Sequence, residues 1–213
     1  MPLKRLGDAW LPLIDRVLEA APSSCGRTLT LPDAARQQLA TWLDLVVAWG
    51  ERVDLTAARD NETLADLLLA DAAVLATTHL TGSAIDVGSG VGAPAIPLAI
   101  LLPTLTLTMV EPRDKRAAFL RTSLGTLARP DIALLRTRSM EVKTGIVDVA
   151  LSRATLPPPL WLREGARLAR SSVWVLLGQD AAPTLPTWHA DLDLSYEWPL
   201  TGGRRRAVRY VRD

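Results

Sequence analysis

The sequence predicts an α/β fold: a Rossmann-like mixed sheet with a C-terminal antiparallel hairpin and an N-terminal helical extension. Three observations carry this. Residues 1–80 space their apolar positions at helical intervals. From Ala84 onward, short apolar runs alternate with helix-like segments, the pattern of strands joined by right-handed crossovers. Near the end, two strand-like runs are separated only by "PLTGGR", too short for anything but a hairpin.

The elements follow in order. "MPLKRLGDAWLPLIDRVLEA" sets Asp8, Asp15 and Glu19 among apolar residues, as an amphipathic helix does and a signal peptide does not. "LPDAARQQLATWLDLVVAWGER" places Ala35, Leu39, Trp42, Leu43, Val46 and Trp49 on one helical stripe, with Pro32 near its start. "RVDLTAARD" reads as an irregular connector. "NETLADLLLADAAVLATTHL" reads as one more helix, capped by Asp60 or Asn61. The runs "AIDV", "LTLTMV", "DIALLR", "VDVALS" and "SVWVLL" suit strands buried on both faces. Helices are expected between them at Pro94–Leu102, Arg113–Leu127 and Pro159–Arg170, with "LPPPL" a stiff loop. "ADLDLSYEW" and "RRAVRYVR" form the hairpin. This divides the chain into a helical extension, 1–80, packed on a core domain, 81–213, as a single structural unit.

Composition narrows the function. Of 213 residues, 48% are hydrophobic and 22% charged, and the formal net charge is +1, so no global polycation signals nucleic acid. No apolar run is long enough to span a membrane. Cys25 is the single cysteine and His79 and His189 are far apart, which leaves no disulfide and no metal-ligand spacing. A cytoplasmic, metal-free monomer is expected.

The chemistry concentrates in "SAIDVGSGVGAPAIPL". After the strand, Gly88, Gly90 and Gly92 let the backbone turn and approach a ligand, and the next helix starts near Pro94. Gly88, Gly90 and Ala93 also satisfy a dinucleotide fingerprint, with Glu111 ending the next strand where a ribose-binding acid belongs. NAD and S-adenosylmethionine both carry that ribose. Asp86, just before the glycines, suits the ammonium of a methionine moiety and would repel a pyrophosphate. The terminal hairpin and the lack of a placed histidine for hydride chemistry also favour the methyl donor.

"LTAARD", "AIDVGSGVGAPAIPLAI", "EPRDKRAAFLR" and "LSRA" together resemble, in order and spacing, the bacterial small-subunit rRNA guanine-N7 methyltransferases, the glucose-inhibited division protein B family. The resemblance runs from about Leu39 to the C-terminus. It implies a class I S-adenosylmethionine-dependent methyltransferase fold acting on rRNA or the small ribosomal subunit. By the same resemblance Asp86, Gly88, Ser89, Gly90 and Gly92 hold the methionine end of the cofactor and Glu111 its ribose. Met140 and Glu141 of "RSMEV" line the adenine, and Ser152 and Arg153 of "SRA" are the candidate catalytic residues. Guanine N7 carries a free lone pair, so no general base is required. A diverged enzyme with another substrate and a non-catalytic module that binds cofactor or RNA are the alternatives.

The chain also differs from the family pattern. Leu67-Leu68 stand where the pattern has Arg-His, Ala72 replaces a serine after the retained Asp71, and Leu177 replaces a basic residue before Gly178. Asp54, Ala95 and Ser139 replace asparagine, glycine and arginine. Burial of Leu67 and Leu68 would mean that RNA contact has moved or gone. Two basic runs remain open between a solvated face and RNA contact: Arg113, Lys115, Arg116 and Arg121 evenly, and Arg204, Arg205, Arg206, Arg209 and Arg212 with edge protection slightly ahead.

Overall fold

The computed structural model describes residues 3–21 and 29–213; Cys25 lies outside them. Seven strands form one sheet: β1 (Ser83–Val87), β2 (Thr106–Val110), β3 (Ala133–Leu135), β4 (Val147–Ser152), β5 (Ala169–Leu177), β6 (Trp188–Glu197) and β7 (Arg204–Arg212). Their order is β3-β2-β1-β4-β5-β7-β6. The first five pair in parallel, and β7 runs antiparallel to both β5 and β6.

That order creates a switch point. From β1 the chain steps outward to β2 and β3, then returns to β4 on the other side of β1. Right-handed crossovers then put α5 (Ala95–Leu101) and α6 (Asp114–Thr126) on one face and α7 (Pro158–Leu168) on the other. Strand residues alternate accordingly. Ala84, Leu107, Met109, Val149 and Leu151 join the cluster under α5 and α6, while Ile85, Val110 and Ala150 join Trp161 and Leu162 of α7. The crevice at the carboxyl ends of β1 and β4 is where open α/β sheets take ligands.

The N-terminal helices belong to the larger of these two clusters. α1 (Leu11–Glu19) follows a 3-10 turn, Gly7–Trp10, and α2 (Asp33–Gly50) buries Leu39, Trp42, Leu43 and Val46. Asp44 ties the two segments: its carboxylate accepts the Trp10 indole N–H at 2.7 Å and the Leu6 backbone N–H at 2.8 Å. One buried cluster therefore runs from Trp10 to Ala207. Trp42 and Trp174 are fully buried, as their apolar spacing predicts, whereas Trp49 keeps part of its ring exposed.

Two elements depart from the sequence pattern. The helix expected from Asn61 is broken into α3 (Asn61–Ala65), a π-helical turn (Asp66–Ala70) and α4 (Asp71–Ala76). Asp60 is the cap, its carboxylate accepting the Thr63 N–H at 2.8 Å. The widened turn coincides with a lateral tie: buried Asp66 accepts the Thr201 N–H and hydroxyl, both at 2.8 Å, from the β6–β7 loop. The helix expected over Pro159–Arg170 instead starts at Pro158, inside the supposed loop, and stops at Leu168. Proline suits the first helical turn, and Ala169 is already paired with Val147 in the sheet.

The hairpin arginines are answered from within the hairpin. Arg206 pairs with Asp193, Arg209 with Asp191 at 2.6 Å and Arg204 with Glu197 at 3.4 Å. Arg205 and Arg212 stack over Trp198 and Trp188. This run is a cross-strand lattice that finishes the sheet edge.

Candidate functional site

The loop after β1 is held from β2. The Gly88 and Ser89 N–H groups donate to the Val110 carbonyl at 2.8 and 3.1 Å. Glu111, only 2% exposed, accepts the Gly90 N–H at 2.9 Å through Oε2 and the Arg113 N–H at 2.8 Å through Oε1. Gly88 and Gly90 have φ of 71° and 56°, the left-handed region that glycine enters without strain. Gly92 lies one step further on, where its N–H donates to the Ser89 carbonyl and the chain enters α5.

Asp86 lies beneath this loop, 1% exposed, and neither of its carboxylate oxygens has a hydrogen-bond partner. The Ser89 hydroxyl is directed instead to the Asp86 backbone carbonyl, at 2.9 Å. Burial pushes the Asp86 carboxyl up to about 7, with the Arg153 guanidinium pulling the other way. An orphaned, desolvated carboxyl beneath a glycine loop suits a cation. It is a poor neighbour for a pyrophosphate.

Two clefts open here. One, of about 450 Å³, is lined by Gly88, Ser89, Gly90, Glu111, Arg113 and Arg153 among others. The second, of about 320 Å³, is lined by Asp71, Ser152, Leu177, Tyr196, Trp198 and Arg205. Leu67, Arg153 and Ala154 border both. Arg153 is therefore the hinge of the site. Its guanidinium donates to the Leu67 carbonyl on the π turn and stands 3.7 Å from the Asp71 carboxylate. The other Asp71 oxygen accepts the Tyr196 hydroxyl at 2.6 Å.

Of the residues singled out from sequence, Gly88, Ser89, Gly90, Glu111 and Arg153 meet at the first cleft, with Asp86 below it. Ser152 borders the second, but its hydroxyl donates to the Val87 carbonyl at 2.7 Å and so braces β4 against β1. Met140 and Glu141 sit on the 3-10 turn after β3, and neither borders the two clefts; Met140 is 73% exposed. Leu68 is 1% exposed, and Leu67 forms an apolar wall between the clefts. Tyr196 and Trp198 were not singled out as site residues. The sequence signals for them are the aromatic residues at the hairpin bend and, far away in the chain, the carboxylates Asp66 and Asp71 within a largely apolar helical run.

The family model of the rRNA small subunit methyltransferase G matches residues 35–158, more than half of the chain. The protein belongs to the rRNA small subunit methyltransferase G family. The family relative from Anaeromyxobacter dehalogenans is 34% identical over 216 residues, covering 92% of this chain and 99% of its own. That from Chromohalobacter salexigens is 30% identical, covering 86% and 88%. The match to the Chloroflexus aggregans relative is higher, 41%, but spans 52% of this chain and 48% of that one. Among solved structures, Pyrococcus horikoshii TYW2 in complex with MeSAdo aligns at a TM-score of 0.52 and 10% identity, over 67% of this chain and 62% of its own. TrmN from Thermus thermophilus aligns at 0.50 and 18%, over 70% and 48%. These two speak for the fold alone. It is the class I methyltransferase sheet, with β7 slotted antiparallel between β5 and β6.

This methyltransferase loop leaves no room at Gly88. A Cβ there would stand 2.2 Å from the Thr155 Oγ1, at a positive φ. Gly88→Ala is expected to cost about 1–3 kcal/mol, or roughly 5 °C in melting temperature for a chain of this size. A thermal melt unchanged within 1 °C would show that Thr155 moves aside freely.

Proposed function

We propose that the protein transfers a methyl group from S-adenosylmethionine to guanine N7 of small-subunit rRNA in the cytoplasm. The observation that carries this is the pair of clefts meeting at Arg153, one edged by Glu111 and by the glycine loop that follows the buried, unpartnered Asp86 carboxyl. Bound in the first cleft, S-adenosylmethionine would supply an electrophilic methyl on a sulfonium. Asp86 would face its ammonium, and Glu111 has lone pairs left for a ribose diol beyond the two it gives to the loop. The Gly88–Gly90 backbone would let the donor approach closely.

The acceptor would enter the second cleft. Trp198 and Tyr196 give it aromatic walls and Leu67 and Leu177 apolar ones. Guanine N7 is unprotonated at neutral pH, so the chain needs no general base. Its task is to align the lone pair with the methyl and to exclude water. Arg153, held from two sides at the border of the clefts, would position the base edge.

Isothermal titration with S-adenosylmethionine and with NAD separates the cofactors: binding of the first and not the second is expected. Incubation with ribosomal small subunits and labelled donor, followed by mapping of the modified base, tests the reaction. Label at a base other than guanine, or no label, would replace this reading with a diverged substrate or a binding module.

A further inference from the structure

The cations that line the second cleft are already engaged. Arg153 is engaged with Leu67 and Asp71, and Arg205 lies over Trp198 at 3.7 Å. Several other arginines meet carboxylates: Arg36 with Asp15, Arg129 with Asp131, Arg167 with Glu164, Arg170 with Asp148. One region differs. A third pocket, of about 580 Å³, lies between the end of α2 and the first turns of α6, lined by Arg5, Trp49, Glu51, Arg52, Val53 and Lys115 among others. Among the described residues, the side chains of Arg5, Arg52 and Lys115 have no ion pair or hydrogen bond. Trp49 is part-exposed, and its ring is fixed edge-to-face against the buried Phe119, centroids 5.6 Å apart.

We infer that this pocket is a nucleotide subsite, in which a splayed-out base of the substrate RNA lies on Trp49 and its phosphates meet Arg5, Arg52 and Lys115. The inference rests on the RNA-methylation reading above. The chemistry is that of a nucleotide: a π face to stack on an aromatic ring, anionic oxygens for three cations, and exocyclic amines that can donate to the single carboxylate, Glu51. A base still stacked in a duplex would not reach a ring set in a pocket, so the strand here is single. Location agrees. Lys115 and Ala118 of α6 border this pocket, while Arg113 and Arg116 of the same turns border the first cleft. A strand leaving the methyl-transfer site over the start of α6 would pass cations on both sides.

The test uses the full chain and an rRNA fragment of the small subunit, with binding measured across a salt series. Arg52→Glu with Lys115→Glu is expected to weaken binding at least tenfold and to flatten the salt slope by about 1.4. Trp49→Leu should weaken it about tenfold with the salt slope unchanged. Affinity for S-adenosylmethionine should stay within twofold of the parent in every variant. Lys143→Glu with Arg163→Glu carries the same charge change at exposed positions before β4 and on α7, and should stay within threefold. Equal loss in both double variants, or no loss in either, overturns the subsite while leaving the methyltransferase reading intact. A parent protein that binds no RNA overturns both.

Discussion

Replacing Asp86 by Asn is expected to abolish the acid limb of S-adenosylmethionine binding and to flatten the dependence of folding stability on pH. The Asp86 carboxyl sits in the fold with its titration raised from 3.8 to about 7 by burial. Between those values the unfolded chain is ionised there and the folded chain is not. The folded state thus binds more protons, and stability falls as pH rises through this window. The loss amounts to about 4 kcal/mol once pH exceeds 7, at about 1.4 kcal/mol for each unit. Asn at this position removes that slope. The difference between parent and variant, followed by denaturant unfolding from pH 4.5 to 8, isolates this carboxyl from all others.

A ligand ammonium placed against Asp86 would reverse the cost, because it favours the ionised form. Binding of the methyl donor below pH 7 should then release a proton from the protein, and affinity should climb about tenfold per unit up to that point. Above pH of about 8 the donor's own α-amino group begins to lose its proton, and affinity should fall again. Titrations in buffers of different ionisation enthalpy read the released proton directly. Affinity that is level from pH 6 to 7.5, or equal in parent and Asp86→Asn, would take Asp86 out of the donor site.

What the sequence made legible was what neighbouring residues decide together. The β1 strand, the left-handed glycines, Asp86 and the acid that follows β2 all lie within a short βαβ unit, and "PLTGGR" forces its hairpin locally. Less legible was what distant residues decide. The π turn at Asp66 goes with its ties to Leu200 and Thr201, 134 and 135 positions away, and no helical periodicity contains them. The end of α7 depends on Ala169 pairing with Val147 across the sheet. The basic runs of α6 and of the hairpin look alike as text. Only the folded register shows that Asp191, Asp193 and Glu197 stand against the hairpin arginines, while Lys115 faces Arg5 and Arg52 across a pocket.

The same distance hides the group whose loss should cost the most. Asp71 opens α4, 4% exposed, and joins three segments far apart in sequence: it accepts the Tyr196 hydroxyl of β6 at 2.6 Å and faces the Arg153 guanidinium after β4 at 3.7 Å. Asp71→Ala removes a buried acceptor, leaves a buried phenol unpaired and strips Arg153 of its counter-charge. A cost of about 3 kcal/mol is expected, which at this chain length lowers the melting temperature by roughly 6 to 12 °C. Tyr196→Phe should cost about 1 kcal/mol, and the two changes together less than their sum, because they share one hydrogen bond. Asp71→Asn separates support from charge: the amide oxygen still accepts from Tyr196, so most stability should return. Arg153, no longer neutralised, would then repel the cationic donor across the border of the clefts, and methyl transfer should drop at least tenfold. If Asp71→Ala melts within 1 °C of the parent, or Asp71→Asn turns over at the parental rate, then Arg153 is held by the Leu67 carbonyl alone and the aspartate is a bystander.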